Sequence, residues 1–449
     1  MKKELADLGI RQALKLLRAN PEKALPKLMS IADIVSRGEM PAQRAAFHSA
    51  IEDKDSNKHR MLMRVLNEVD PDIMDTLIVN FAMNASMEGW RRQIKLREEY
   101  GCNVPWAILL DPTSACNLHC KGCWAADYGN RLNLSFDDID SIVEQGKELG
   151  VYFYLFTGGE PLVRKRDVVR ICEKHDDCVF LAFTNGTLID EEFCEDMLRV
   201  RNFMPAVSVE GDRESTDARR GEGVYDKAVH AMELMRERKI PFGISCCYTS
   251  KNFRKVSSSD YLEWLSDQGA MFIWYFHYMP VGTDADVELM VSPEQRMGMY
   301  YRVREFRNTK DVFAMDFQND GEFVQGCIAG GRRYLHINAA GDVDPCVFVH
   351  FSDSNIHEKT LLECLQSPLF MAYHDGQPFN DNMLRPCPML ENPQALREII
   401  ERTGAHSTNL EGVESVEDLC SRCDAYAEHW GPVADYLWEK HPHVVDFVR

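Results

Sequence analysis

Three cysteines within eight residues constrain this chain more than any other feature. Cys116, Cys120 and Cys123 stand as C-x3-C-x2-C in the stretch Pro-Thr-Ser-Ala-Cys-Asn-Leu-His-Cys-Lys-Gly-Cys-Trp, residues 112–124. An apolar run, 106–111, precedes them and a helix is expected from Ser135. The cysteines therefore sit on a loop at the C-terminal end of a strand, where α/β barrels carry their chemistry. Three thiolates on one loop can hold three corners of a cubane iron–sulfur cluster. The missing fourth leaves one iron open to a small chelating molecule. Structural zinc is the competing use, but it wants a fourth ligand close by. His119, inside the loop, is too constrained by its neighbours to supply one.

Thr157-Gly158-Gly159-Glu160-Pro161 ends the next apolar run, 151–156. A Gly-Gly pair lets backbone approach a ligand closely, and the carboxylate beside it can hold an ammonium group. Taken together, a three-cysteine loop after the first strand and Gly-Gly-Glu after the second resemble the radical S-adenosylmethionine (SAM) superfamily. The resemblance covers roughly residues 105–280, and more weakly the region to Cys423. It implies a partial (β/α)6 barrel in an α/β fold, and a [4Fe–4S] cluster on Cys116, Cys120 and Cys123. It also implies SAM as the chelating cofactor, cleaved by one electron to a 5′-deoxyadenosyl radical that removes hydrogen from an unactivated C–H bond. A donor such as ferredoxin or flavodoxin would supply the electron. By the same resemblance Gly158, Gly159 and Glu160 would meet the methionyl amine, Ser208 and Arg220 the carboxylate, and Glu210 the ribose. One position departs from the family: an aromatic residue often precedes the third cysteine, whereas here Gly122 does and Trp124 follows.

Composition narrows the setting. The 449 residues include 15 cysteines, a high and odd number. No apolar run approaches the ~20 residues of a membrane span, and Met1-Lys2-Lys3-Glu4 opens no export signal. The expectation is a cytoplasmic protein whose clustered cysteines are metal ligands, not disulfides. A net charge of −20 argues against a nucleic-acid partner. Residues 1–46 are the exception, with nine Lys/Arg against five Asp/Glu, 9 − 5 = +4. Leu8, Ile10, Leu14, Leu16 and Leu17 give that segment an apolar face. It either packs on the body or lies on an anionic membrane surface.

Along the chain, residues 5–100 read as helices, at 26–37, 42–51, 57–69 and 73–87, after a break at Asn20-Pro21. Strands at 106–111, 151–156, 179–184, 205–210, 242–248 and 271–279 alternate with helices near 135–149, 166–175, 188–200, 223–238 and 258–268. That alternation makes a parallel sheet with right-handed crossovers. Ser292 caps a further helix with Pro293 in its first turn. Cys246 and Cys247, adjacent on a strand, point to opposite faces. The run 274–278 lines the barrel, with His277 and Tyr278 as candidates to meet substrate.

Beyond residue 319, Asn338–Asp342 is a turn between extended runs at 334–337 and 347–351, and helices are expected at 360–366 and 432–440. The expected division is 1–104 helical, 105–318 barrel and 319–449 a small cysteine-rich domain. Cys327, Gly341 and Cys346, as C-x13-G-x4-C, resemble the opening of SPASM and twitch domains. The resemblance implies an auxiliary [4Fe–4S] cluster completed from Cys387, Cys420 and Cys423. Zinc is the alternative. The function expected is radical modification of a peptide or protein, with a lipid or small metabolite as alternative substrate and a non-catalytic metal scaffold as the competing class. No catalytic side chain is singled out.

Overall fold

The computed structural model describes residues 13–35 and 41–441. Its centre is a nine-stranded sheet in the order β7-β6-β5-β4-β3-β2-β1-β8-β9. The strands are β1 (Ala107–Leu110), β2 (Phe153–Phe156), β3 (Val179–Thr184), β4 (Phe203–Ser208), β5 (Gly243–Tyr248), β6 (Phe272–His277), β7 (Phe313–Asp316), β8 (Tyr334–Ile337) and β9 (Val343–Asp344). All neighbouring pairs from β7 to β8 are parallel, and β9 runs antiparallel to β8. Alternation along each strand makes two cores. Ala107, Leu109, Phe153, Leu155 and Leu181 belong to an inner cluster, and Ile108, Leu110, Tyr154, Phe156 and Phe180 to an outer one under the crossover helices. Inward side chains of β1 and β6 line one cavity, so the sheet curves into a partial barrel.

Register sets the site. Leu110 pairs with Phe156, and Phe156 with Ala182, so the chain leaves β1 and β2 side by side at one rim. The following helix, Phe136–Glu148, starts at a capping box in which Ser135 and Asp138 satisfy each other's backbone N–H groups. Ser292 and Gln295 do the same for Pro293–Thr309, as the Ser-Pro start predicts.

Several boundaries differ from expectation, each for a packing reason. β4 begins at Phe203, ahead of Pro205, because Asn202 and Phe203 already pair with β3. A seventh barrel strand, β7, adds to the β6 edge, and β8 and β9 extend the opposite edge. The turn at Asn338–Asp342 joins β8 to β9, not to residues 347–351. Val349 N–H turns back onto the Cys346 carbonyl at 2.9 Å. Only Phe351–Ser352 (β10) is extended there, pairing with His406–Ser407 (β11). The last helix does not start at Pro432 but runs from Val416 to Lys440 through it. Cys420, Cys423, Ala427, Trp430, Ala434 and Leu437 form one buried stripe on both sides of the proline, and that stripe outweighs the lost N–H.

At the N-terminus, Leu8 and Ile10 lie outside the described residues. Leu14 and Leu17 are buried and Leu16 is exposed. Leu17 packs with Ala24 and Leu25 against Ile51, Leu62 and Leu66. The expected 73–87 helix is instead α-helical at Pro71–Leu77, π-helical at Ile78–Gly89 and α-helical again at Trp90–Tyr100. Among the described residues no helix is long and apolar enough to cross a membrane.

Trp430 holds the last helix to the barrel. Its ring is fully buried beneath the Arg296 guanidinium, 4.2 Å from the ring centre, and its Nε1–H donates to the Leu384 carbonyl at 2.9 Å. Trp430→Ala is expected to cost about 3–5 kcal/mol, read as a lower urea unfolding midpoint.

Candidate active site

The cysteine loop has no regular structure and is held by contacts from four strand ends. From β2, Gly159 N–H donates to the Thr113 carbonyl at 3.0 Å and Glu160 N–H to the Ala115 carbonyl at 2.9 Å. The approach is too close for a side chain: a Cβ on Gly159 would stand 2.2 Å from the Ala115 oxygen, and one on Gly158 2.5 Å from the Thr113 oxygen. The Gly-Gly pair thus lets backbone meet the backbone of the cysteine loop itself. From β3, Asn185 donates to the Asn117 side chain at 2.9 Å, and Asn117 donates to Thr187 at 2.8 Å. Beyond β4, the Arg219 carbonyl accepts from Lys121 N–H at 2.8 Å. After β6, the Tyr278 ring lies 2.5 Å from where a Cβ of Gly122 would be. The space next to the third cysteine is therefore filled by an aromatic ring from another strand.

The sequence-predicted residues meet at this rim. Cys116, Cys120, Cys123, Gly158, Gly159, Glu160, Ser208 and Arg220 all line one cavity of about 240 Å³. Below them its wall is aromatic and aliphatic: Leu109, Leu155, Phe183, Trp274, Phe276 and Phe317. Cys247 and His277 also reach it, while Cys246 is buried in the outer core.

Two carboxylates at the rim are already engaged. Glu160 is buried; it accepts from Thr184 Oγ1 at 2.7 Å, Asn185 N–H at 2.8 Å and Leu162 N–H at 3.0 Å. Burial raises its pKa against those donors. Glu210 is buried and ion-paired to Arg219 at 2.8 Å and to Arg220 at 2.6 Å. Burial opposes its charge, but Arg220 and then Arg219 bring its pKa below the ordinary value. One carboxylate between two guanidinium groups leaves a net positive charge beside the cysteines, with Arg220 Nη1 4.0 Å from Cys120 Sγ. Burial pushes the Cys116 thiol up to about 11 and also raises Cys123. No three cysteine sulfurs, all among the described residues, lie within 4.8 Å of one another. One tetrahedral zinc ion would need them about 3.8 Å apart, so the loop is splayed too widely for a single ion.

A model of the radical SAM superfamily matches residues 110–263, from the end of β1 through the crossover helix before β6. Residues 110–263 are a radical SAM domain. Among its relatives is an AdoMet-dependent heme synthase of Nitratidesulfovibrio vulgaris, 25% identical over 282 residues, 56% of this chain and 75% of the relative. Another is the PqqA peptide cyclase of Gluconobacter oxydans, 25% identical over 305 residues, 65% of this chain and 84% of the relative. Among solved structures, Streptococcus suis SuiB bound to its precursor peptide SuiA superposes with a TM-score of 0.57 at 18% identity, over 75% of this chain and 80% of that one. That likeness is one of fold. The three-cysteine loop and the glycine pair both lie within the matched residues and are packed together here.

The C-terminal cysteines fall into two groups. Cys327, Cys346 and Cys387 line a second, smaller cavity of about 60 Å³ with Tyr373 and Glu391. Cys420 and Cys423 are buried on the last helix and do not line it. The Tyr373 hydroxyl is buried without a hydrogen-bond partner, and burial, then the nearness of Cys327, Cys346, Cys387 and Cys420, pushes its pKa well above the ordinary value. Burial pushes the thiols of Cys327, Cys346 and Cys420 up to about 11, 12 and 12.

Residues that the sequence did not single out complete the rim. Asn117 holds the loop as described, beside Tyr278, which the sequence offered only as a candidate to meet substrate. Behind it, the wholly buried His336 on β8 lies 3.0 Å from Asp111 and 3.2 Å from Asp344. Trp124 stands edge-on to His336, and Tyr128 and Thr408 donate to Asp344. Burial opposes charging of the imidazole, but Asp111 and Asp344 outweigh it and hold His336 at about 9. A histidine raised from about 6.5 stabilises the fold fully below that pH and loses its contribution as pH rises through about 9. The stability difference between wild type and His336→Gln is therefore expected to shrink between pH 6.5 and 9.5, measured by urea denaturation.

Proposed function

We propose that the chain is a radical SAM enzyme that abstracts hydrogen from an unactivated C–H bond of a peptide or protein. The observation that carries it is the placement of Cys116, Cys120 and Cys123 at the mouth of an aromatic-walled cavity inside the barrel. Those three residues would hold the [4Fe–4S] cluster, whose usual ligands are cysteine thiolates. With SAM chelated, such a cluster supplies the electron that breaks a carbon–sulfur bond of SAM and yields the 5′-deoxyadenosyl radical.

The protein's own part is positioning, charge balance and exclusion of water. Arg219 and Arg220, less the charge of Glu210, offset part of the negative charge of three thiolates. Gly158, Gly159 and Glu160 brace the loop, with Glu160 at the cavity wall where the amine of SAM would lie. Ser208 lies at the same wall and would meet the SAM carboxylate. The paired Glu210 and Arg220 would act on SAM as a unit, not as separate contacts to ribose and carboxylate. The apolar wall keeps water from a reactive carbon radical. The electron comes from outside the chain, from a one-electron donor of the ferredoxin or flavodoxin type. A peptide substrate is supported by the likeness to the PqqA peptide cyclase and by the fold shared with SuiB, which binds a precursor peptide.

Cys116→Ala, Cys120→Ala and Cys123→Ala are each expected to abolish 5′-deoxyadenosine formation from SAM under dithionite, followed by chromatography. Full production by any one of them would overturn the assignment.

A second cluster would be held by Cys327, Cys346 and Cys387, with Cys420 as the fourth ligand and Cys423 as its neighbour on the helix. The unpartnered Tyr373 hydroxyl fits this, because an inorganic or cysteinyl sulfur would give it an acceptor. The triple variant lacking Cys116, Cys120 and Cys123 is expected to retain about four irons per chain, as one cubane requires. A folded, iron-free triple variant would leave the C-terminal cysteines to zinc or to packing.

A further inference from the structure

The barrel cavity does not end beneath the cysteine loop. It continues past Leu109 and Leu155 to Trp106, Phe153 and Arg333, at the opposite rim. Phe81, from the π-helical segment, packs under that rim at 5.7 Å from Trp106 and 5.5 Å from Phe153. Arg333 immediately precedes β8. Its carbonyl accepts from Trp106 and Ala107 N–H groups at 2.8 and 2.9 Å, which fixes its backbone at the foot of β1.

Two other arginines crowd the same place, and both are occupied. Arg97 donates to the carbonyls of Val104 and Arg332. Arg332 donates to the carbonyls of Gln325 and Cys327. The half-buried Arg333 side chain has neither a hydrogen bond nor an ion pair among the described residues. Its guanidinium only stacks on Trp90, 4.7 Å from the ring centre, with Arg97 at 5.1 Å from the same ring. Burial, and then the like charges of Arg97 and Arg332, bring its pKa down to about 9. A partly desolvated cation with only cations near it lacks the anion that would compensate its burial. Its planar fork matches a carboxylate.

We propose that the end of the cavity opposite the cysteine loop is a carboxylate subsite anchored by Arg333. Its ligand is an acid whose apolar body lies along Leu109, Leu155, Phe183 and Trp274, with its far end toward the cysteines. Calling that ligand a substrate rests on the radical SAM reading; the subsite itself rests on the cavity and its cation. The carboxylate belongs either to a peptide C-terminus or to a small amphiphilic acid.

The test is calorimetric titration of the full, anaerobically purified chain with 6-phenylhexanoate and with its uncharged counterpart 6-phenylhexanol. Wild type is expected to bind the acid about tenfold more tightly, as one charge-assisted bond allows. Arg333→Met removes that preference while the alcohol still binds, which also shows that the cavity is intact. Arg333→Lys keeps part of it. Equal binding of acid and alcohol by wild type, a comparison that needs no variant, overturns the proposal, as does an acid preference that survives in Arg333→Met. Competition then separates the sources. Displacement by N-acetyl-Phe-Phe but not by its C-terminal amide marks a peptide terminus. Displacement by decanoate but not by the dipeptide marks a small acid, and displacement by neither counts against the subsite. On the same wild-type preparation, 5′-deoxyadenosine formation is measured separately. Acid binding without it defeats the radical reading and leaves the subsite standing; the reverse result defeats the subsite alone.

Discussion

Thirteen residues, 112–124, must hold three thiols in one arrangement without helix or strand to order them. Fixing such backbone costs about 1–2 kcal/mol per residue, so the loop depends on being pinned at short intervals. The first pin comes from the parallel register of β1 with β2, which brings the carbonyls of Thr113 and Ala115 to the amides of Gly159 and Glu160. Asn117, Lys121 and Gly122 are then fixed by β3, by the segment after β4 and by the end of β6. The anchors are one to four residues apart. Strand order thereby becomes thiol geometry: the ends of β2, β3, β4 and β6 each supply a contact to the loop that leaves β1.

The same rim settles the electrostatics. Cys116 and Cys123, pushed up by burial, resist ionising, and metal ligation requires thiolates. Arg219 and Arg220 supply the compensating charge, and Glu210 sets its size and direction. Both guanidinium groups are largely buried, and each is tied to the one carboxylate. Burial disfavours their charge, yet the paired Glu210 carboxylate helps to raise both above the ordinary arginine value. Arg219 and Arg220 are thus permanently cationic beside Cys120 and Cys123.

Much of this was legible in the sequence because it is local. The spacing of Cys116, Cys120 and Cys123, the Gly-Gly pair and the alternation of apolar runs with capped helices are short-range signals, and β1 to β6 lie within two residues of the runs that announce them. What was not legible is long-range. Nothing in the sequence pairs Asn117 with Asn185, brings Tyr278 over Gly122, or joins residues 334–337 to the β1 edge. Arg219 was not singled out because its partner, Glu210, reads as a ribose contact until the two are seen to meet. The last helix was cut at Pro432 because a proline is a reliable stop only where packing is weak, and here Trp430 and Leu437 bury on either side of it. The expected 347–351 strand failed for the converse reason: its β-branched and aromatic residues serve a tight turn at Cys346.

The two cysteine regions are tied together through the protein interior. His277, at the wall of the barrel cavity, meets the Tyr426 hydroxyl at 3.0 Å, and Arg296 donates to the same hydroxyl at 3.4 Å. Arg296 pairs with Glu391 at 2.6 Å, and the other oxygen of Glu391 accepts from Cys387 N–H at 2.7 Å. Burial, then the nearby Arg296 charge, hold His277 at about 3, so it stays neutral and keeps one hydrogen-bonding pattern across ordinary pH. A buried ion pair seldom adds net stability over apolar packing, but losing one partner strands a charge and is costly. A shift of the Cys387 loop relative to β6 would do that, because Arg296 stands on the Pro293–Thr309 helix and Glu391 on the cysteine loop. The pair therefore acts as a registration device. It makes the position of the C-terminal cysteines, relative to the barrel cavity, a condition of the fold itself.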